Sequence, residues 1–394
     1  MPPTNLFRHQ AYTDSCPASP HHSLKPGPHP PVGSDEFQRR MQQVGETLSE
    51  WNVAAVYLAH GTFVGPDALG VLNELARLLP RASTSVRRVI KRIVDKLTGE
   101  TGNYTGRYAR LFESAINSAD RPKIPVRLFN WSSENNHIGR ADGSVRLIDE
   151  LMSQGFSPGQ RVLLWGHSHA GNMFALMTNL LAGNSDGGNP DGGNPNAAER
   201  FFQAAEIYYQ WPVVGCVDIP VWGRVRRQLA DRPGLMEEVG LDIATFGTPI
   251  RYGWDSNGYD RLLHFVNHRP HEGLPDYQAP FPPTLNDVLR AADGDYIQQF
   301  GIAGTNVTPS VVSWRSRLAD RRLHNLLQPD PAEGSLLDRF KTGTIVPDEG
   351  TTLLVDYGPV EGSIAQHWAG HAVYTQQQWL LFHAEELVRQ FYQE

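Results

Sequence analysis

LLWGHSHAGN, residues 163 to 172, is the stretch on which the reading of this chain turns. An apolar run reaches Gly166, Ser168 stands between His167 and His169, and the small residues Ala170 and Gly171 follow. A serine hydroxyl is a poor nucleophile until a base takes its proton. A sharp turn from a buried strand into a helix lifts that hydroxyl above the sheet. Such a turn needs small neighbours, because larger side chains collide where the chain reverses. The spacing departs from G-x-S-x-G at one place: Ala170 stands where the second glycine is usual, and Gly171 comes next. Beyond the turn, Met173, Leu176, Met177 and Leu180 align at helical spacing. The amide of His169 therefore falls at a helix N-terminus, where unpaired N–H groups favour negative charge, and is a natural oxyanion donor.

Working outward, NVAAVYLAHGTF (52–63) reads as a buried strand ending at His60-Gly61, after which the amide of Thr62 offers a second oxyanion donor. VRLFNWS (126–132), RVLLWG (161–166), LDIATFGTP (241–249), RLLHFVNHRP (261–270) and TTLLVDYGP (351–359) read as further strands. Helical periodicity lies between them, over 67–80 with Asp67 as N-cap, 143–155, 171–183 and 376–391. Strands that are apolar throughout and alternate with helices predict an α/β fold: a mostly parallel central sheet with helices on both faces. In such sheets, sites form past the carboxyl ends of the strands.

The margins of this pattern are polar. Residues 1–35, rich in proline, histidine and serine, read as a disordered tail whose histidines (His9, His21, His22, His29) are solvated. The domain then runs over 36–394, with insertions at about 80–120, 183–235 and 270–350 that supply a cap or lid. Helix 86–97 carries an apolar stripe and a basic face. It reads as a surface helix packed on the core, with a lid or weak interfacial contact as the functional alternative. Trp211 and Trp222 suit either an acyl pocket or the core. The turn-rich repeat 183–196 reads as a surface loop.

The 394 residues carry 35 lysines and arginines against 42 aspartates and glutamates, a net charge of −7, which argues against a general nucleic-acid binder. The two cysteines, Cys16 and Cys216, give no basis for a structural disulfide. The N-terminus lacks an apolar signal region, and no apolar run is long enough to span a membrane, so a cytoplasmic location is expected. The sequon-like triplets at Asn103, Asn130 and Asn306 then carry no glycan reading.

The sequence resembles the α/β-hydrolase superfamily of serine esterases and lipases. The matching residues are His60-Gly61-Thr62, Gly166-x-Ser168-x-Ala170, Phe246-Gly247-Thr248-Pro249 and Gly370-His371, over roughly residues 50 to 394. The resemblance implies an α/β-hydrolase fold and hydrolysis of a small-molecule ester or lipid through an acyl-enzyme. Ser168 would be the nucleophile, His371 the base, with His367 as the alternative, and the amides of His169 and Thr62 the oxyanion hole. The family usually supplies the acid after the strand LLHFVN, where this chain has Asn267 and His268. Asp356, ending an apolar strand, is preferred. Asp276 and Glu272 are the alternatives, followed by Asp255 and the pair Asp293 and Asp295. The chemistry needs no cofactor, and a zinc site at His167, His169, His268 and His271 is set aside for pocket-lining histidines. Acyl transfer or amide hydrolysis by the same groups, and a binding protein that has lost the acid, are the rival readings.

Overall fold

The computed structural model describes residues 7, 19–61, 103–182, 197–211, 217–231, 238–249, 251–279, 291–302, 309, 313–327, 345–359 and 368–393. The helix expected over 67–80, helix 86–97, the loop 183–196 and both cysteines lie outside them. Seven strands, β1 (His21–Leu24), β2 (Val53–Ala59), β3 (Val126–Phe129), β4 (Arg161–His167), β5 (Gly240–Phe246), β6 (Arg261–Asn267) and β7 (Thr351–Val355), form one sheet in the order β1-β7-β6-β5-β4-β2-β3. Every pairing is parallel.

Alternation along the strands divides the core in two. Ala55, Tyr57, Ala59, Val162, Leu164, Leu241 and Ile243 face one layer. That layer holds α3 (His137–Ser153), α4 (His169–Ala182), α5 (Ala197–Tyr209), α6 (Pro220–Asp231) and α8 (Trp314–Leu327). Val56, Leu58, Leu163, Trp165, Phe246, Leu263, Phe265 and Leu353 face the other. There they meet α1 (Asp35–Glu50), α2 (Gly106–Ile116) and α9 (Leu380–Tyr392). Both faces are covered, which is why the strands are apolar throughout. A short helix, α7 (Tyr296–Ile302), lies in the segment between β6 and β7.

Three sequence expectations change. The tail expected over 1–35 contains an edge strand: His21 to Leu24 pair with Thr352 to Val355, a register decided by backbone hydrogen bonds and not by any apolar pattern. Helix α1, capped by Ser34 and opened by Asp35 and Glu36, buries Phe37, Met41, Val44 and Leu48 at helical spacing. Helix α2 falls within the expected 80–120 insertion, yet it buries Tyr108, Phe112 and Ile116 in the core beside α1. The expected 183–235 insertion holds α5 and α6. Its Trp222 is buried, stacks on Tyr209 at 5.1 Å and donates to Asp142 Oδ1 at 2.8 Å, which makes it core; Trp211 is exposed.

The topology places a crevice. From β2 the chain steps outward to β3, whereas β4, β5, β6 and β7 build in the opposite direction. The order reverses between β2 and β4, and ligands bind past the carboxyl ends of strands at such a switch point. No described helix is long and apolar enough to cross a membrane.

Candidate active site

At that switch point β4 ends on His167 and α4 begins on His169, leaving Ser168 alone in the turn. Its φ of +56° is left-handed, which costs a non-glycine residue about 1–3 kcal/mol and persists only where the surroundings impose it. Those surroundings are backbone bonds. The Ser168 amide donates to the Phe246 carbonyl at 2.8 Å, and its carbonyl accepts from Gly171 N at 3.0 Å and Thr248 Oγ1 at 2.8 Å. The TFGTP segment after β5 thus clamps the turn after β4. Ala170 is fully buried and tolerated.

Across the crevice, β2 ends in His60-Gly61. Trp131 Nε1 donates to the His60 carbonyl at 2.8 Å, and His60 Nδ1 donates to the Gly61 carbonyl at 3.0 Å and lies 2.9 Å from Ser133 Oγ. A Cβ added to Gly61 would sit 2.7 Å from Ser168 Cβ and 3.3 Å from Oγ, so only glycine lets this turn approach the elbow. Thr62, the expected second oxyanion donor, lies outside the described residues. His169 is the first residue of α4, so its amide belongs to the unpaired N–H groups of a helix start.

His371 lies in a 3-10 segment, Trp368–Thr375, that follows β7. Its carbonyl accepts from His167 Nε2 at 3.1 Å, and the two rings stand 4.5 Å apart, which sets His371 over the residue preceding the elbow. His371 Nδ1 is 2.7 Å from Asp295 Oδ2, with the carboxylate fully buried and the imidazole 3% exposed. The Nδ1 proton therefore points at Asp295, leaving Nε2 to act as a base. Tyr374 Oη donates to the same carboxylate oxygen at 3.0 Å, and the Gln298 amide donates to the other at 2.9 Å.

The carboxylate on His371 is thus Asp295, not Asp356. Asp356 accepts from Arg269 Nε at 3.0 Å and pairs with Lys25 at 3.7 Å, turned away to bind the insertion and the edge of the sheet. Asp276 binds β1, through His21 at 3.3 Å and Ser23 at 3.1 Å, and Glu272 is exposed. Asp255 caps a 3-10 turn by accepting from Asn257 N, and Asp293 accepts from Tyr296 Oη at 2.6 Å. The physical reason is a return of the chain. After leaving β6 it comes back through a bridge between His268 and Gly294, and the Asp295 amide donates to the Asn267 carbonyl at 2.9 Å. Gly294 permits this: its φ is +126°, and a Cβ would strike the Asn267 carbonyl oxygen at 2.1 Å. The aspartate expected at the end of LLHFVN is spatially there, delivered by a distant residue. By sequence it ranks last, within the pair Asp293 and Asp295; the glycine between them in AADGDY is the signal that could have singled it out.

His367 lies outside the described residues. The four histidines of the zinc reading are not brought together: His167 binds the His371 carbonyl, His169 packs on α3, and His271 is exposed. His268 is buried, and burial pushes its imidazole down to about 4. Among the described residues no group of three or more His, Cys, Asp or Glu is arranged to hold a metal ion.

The α3 side of the elbow is polar. His169 Nδ1 accepts from Asn172 Nδ2 at 3.1 Å and faces Arg140 Nη1 at 3.5 Å, so its proton sits on Nε2. Burial holds this imidazole well below its ordinary value, and the positive charges of Arg140 and Arg251 add to the effect. Arg140, fully buried, also donates to Asn135 Oδ1 at 2.9 Å and to Tyr252 Oη at 2.9 Å.

Compared with models of known protein families, with curated proteins and with solved structures, the chain matches none.

Proposed function

We propose that this protein is a serine hydrolase of α/β-hydrolase type that cleaves carboxylic esters through an acyl-enzyme. The observation that carries the reading is the buried Asp295–His371 bond of 2.7 Å, set beside a serine held at φ +56° between strand and helix. The chain order supports it: serine after β4, aspartate in the segment between β6 and β7, returned to the Asn267 carbonyl, and histidine after β7 follow the order Ser, Asp, His of that architecture. A carboxylate within hydrogen-bond reach of His371 also favours the enzyme over a binding protein that has lost its acid.

In this mechanism Ser168 Oγ attacks the ester carbonyl as His371 Nε2 takes its proton. Asp295 holds the Nδ1 proton in place and stabilises the imidazolium. The tetrahedral oxyanion is met by the amide of His169 at the start of α4 and by that of Thr62, next to the close-packed Gly61. The imidazolium protonates the departing alkoxide, leaving acyl-Ser168. Water, deprotonated by the same imidazole, then releases the acid and restores the serine.

Hydrolysis of p-nitrophenyl esters from acetate to palmitate, compared with Ser168→Ala, tests the reading. The variant should lose at least about a thousandfold in kcat, since the nucleophile and its base act as a unit. Wild-type activity equal to that of the variant on every ester refutes it.

A further inference from the structure

We propose that Asn267 is the positioning residue of the triad: its side-chain amide donates to the Gly370 carbonyl and thereby holds His371 on Asp295. The inference rests on the hydrolase reading and names a group that this reading leaves unused.

Asn267 ends β6 and is buried, at the place where the resemblance expects the acid. It binds both sides of the pair Asp295 and His371. Its carbonyl accepts from the Asp295 amide at 2.9 Å. Its own backbone amide donates at 2.7 Å to Tyr374 Oη, the hydroxyl that binds the Asp295 carboxylate. Its Nδ2 donates to the Gly370 carbonyl at 3.0 Å, one residue before His371. The two segments that carry the pair touch at the same point: a Cβ on Gly370 would stand 2.2 Å from the Gly294 carbonyl oxygen. The segment of His371 is therefore tied to the sheet at two strand ends. Gly370 ties it to β6, and the bond from His167 Nε2 to the His371 carbonyl, 3.1 Å long, ties it to β4.

The two backbone bonds of Asn267 are open to any residue but proline. What the asparagine adds is a single side-chain donor. Its Oδ1 is buried and meets no donor among the described residues, an arrangement that lowers stability. Turning the amide over would set that oxygen against the Gly370 carbonyl, so the donor faces Gly370. Leucine has nearly the same shape, leaves no stranded oxygen and suits the end of an apolar strand. Aspartate would offer the Gly370 carbonyl no donor and would bring a second negative charge close to Asp295. Folding alone thus favours leucine, and the family pattern favours aspartate. Asparagine is the choice that keeps the site neutral and still fixes the His371 segment.

The test compares Asn267→Leu with wild type. On p-nitrophenyl acetate kcat should fall about a hundredfold, the effect of displacing a catalytic group by about 1 Å. The acid limb of the kcat/KM profile should move to lower pH, because an imidazolium drawn away from its carboxylate forms less readily. In proton NMR, wild type should show a downfield resonance for the proton between His371 and Asp295, identified by its absence from Asp295→Asn, and Asn267→Leu should lose it. The melting temperature should hold or rise, which separates the effect from unfolding. Asn267→Ala repeats the test should the first variant fail to fold. A folded variant that keeps the resonance and the acid limb overturns the proposal, whatever its kcat, by assigning Asn267 to packing. Where wild type cleaves no ester the hydrolase reading fails, and the resonance still decides: lost in the folded variant it supports the positioning role, and retained it refutes it.

Discussion

Replacing Asp295 with asparagine exchanges one carboxylate oxygen for an amide and preserves the shape of the side chain. In the native site Oδ1 accepts from the Gln298 amide at 2.9 Å, and Oδ2 accepts from His371 Nδ1 at 2.7 Å and Tyr374 Oη at 3.0 Å. The amide has two settings. With its oxygen toward Gln298, its NH2 faces His371 and forces Nδ1 to accept, which moves the imidazole proton to Nε2. A base protonated there cannot take the proton of Ser168. With the oxygen toward His371, the NH2 opposes the Gln298 N–H, a buried donor against a donor, at a cost of about 1–3 kcal/mol. The first setting leaves Tyr374 able to turn its hydroxyl and accept, so it is favoured. The expected loss is that of a wrong-tautomer triad, about ten-thousandfold in kcat, or about 5.5 kcal/mol of barrier. Asp356→Asn is the matched control. It weakens an ion pair that solvent reaches, costing at most about 1 kcal/mol of stability and leaving kcat within twofold. The assay is kcat for p-nitrophenyl acetate with both variants verified as folded by circular dichroism. Asp295→Asn retaining more than a tenth of wild-type kcat would refute the assignment of the acid, as would Asp356→Asn losing most of it.

Tyr374→Phe deletes one donor to the Asp295 carboxylate and strands the Asn267 amide that Tyr374 accepts at 2.7 Å. The less shielded carboxylate favours the imidazolium, so the acid limb of the kcat/KM profile moves to higher pH and kcat falls about tenfold, which is about 1.4 kcal/mol; an unmoved limb assigns Tyr374 to packing alone. Gly61→Ala puts a methyl 2.7 Å from Ser168 Cβ, against a backbone that is held from both sides. A displacement of the elbow costs about a hundredfold in kcat/KM, read against thermal stability to separate it from unfolding. His383 is fully buried with its Nε2 hydrogen-bonded to Tyr357 Oη at 2.7 Å, and burial pushes its imidazole down to about 3. The folded state resists the proton that the unfolded chain takes up below about 6.5, so this stability is present above that pH and lost as pH falls toward 3. His383→Phe should flatten the slope of unfolding free energy between pH 6 and 4 by about 1.4 kcal/mol per pH unit; superimposable slopes in denaturant titrations would contradict it.

The sequence by itself determined what depends on neighbours along the chain. Six strands and the turn at Ser168 were legible because apolar runs, strand spacing and small residues act within a few positions. The adjacency of Gly370 to His371 marked the candidate base in the same way. The tertiary structure decided what depends on where distant segments meet. Strand β1 carries no pattern in HHSL and exists only because β7 offers it an edge. Asp295 meets His371 because the chain, having left β6, returns to the Asn267 carbonyl, and a hydrogen bond between backbone groups leaves no trace in side-chain periodicity. Arg140, from α3, meets the His169 ring at the start of α4 at 3.5 Å, a contact between segments far apart along the chain. Local preference wrote the elbow; assembly of the parallel sheet and the return of the chain after β6 supplied the groups that surround it.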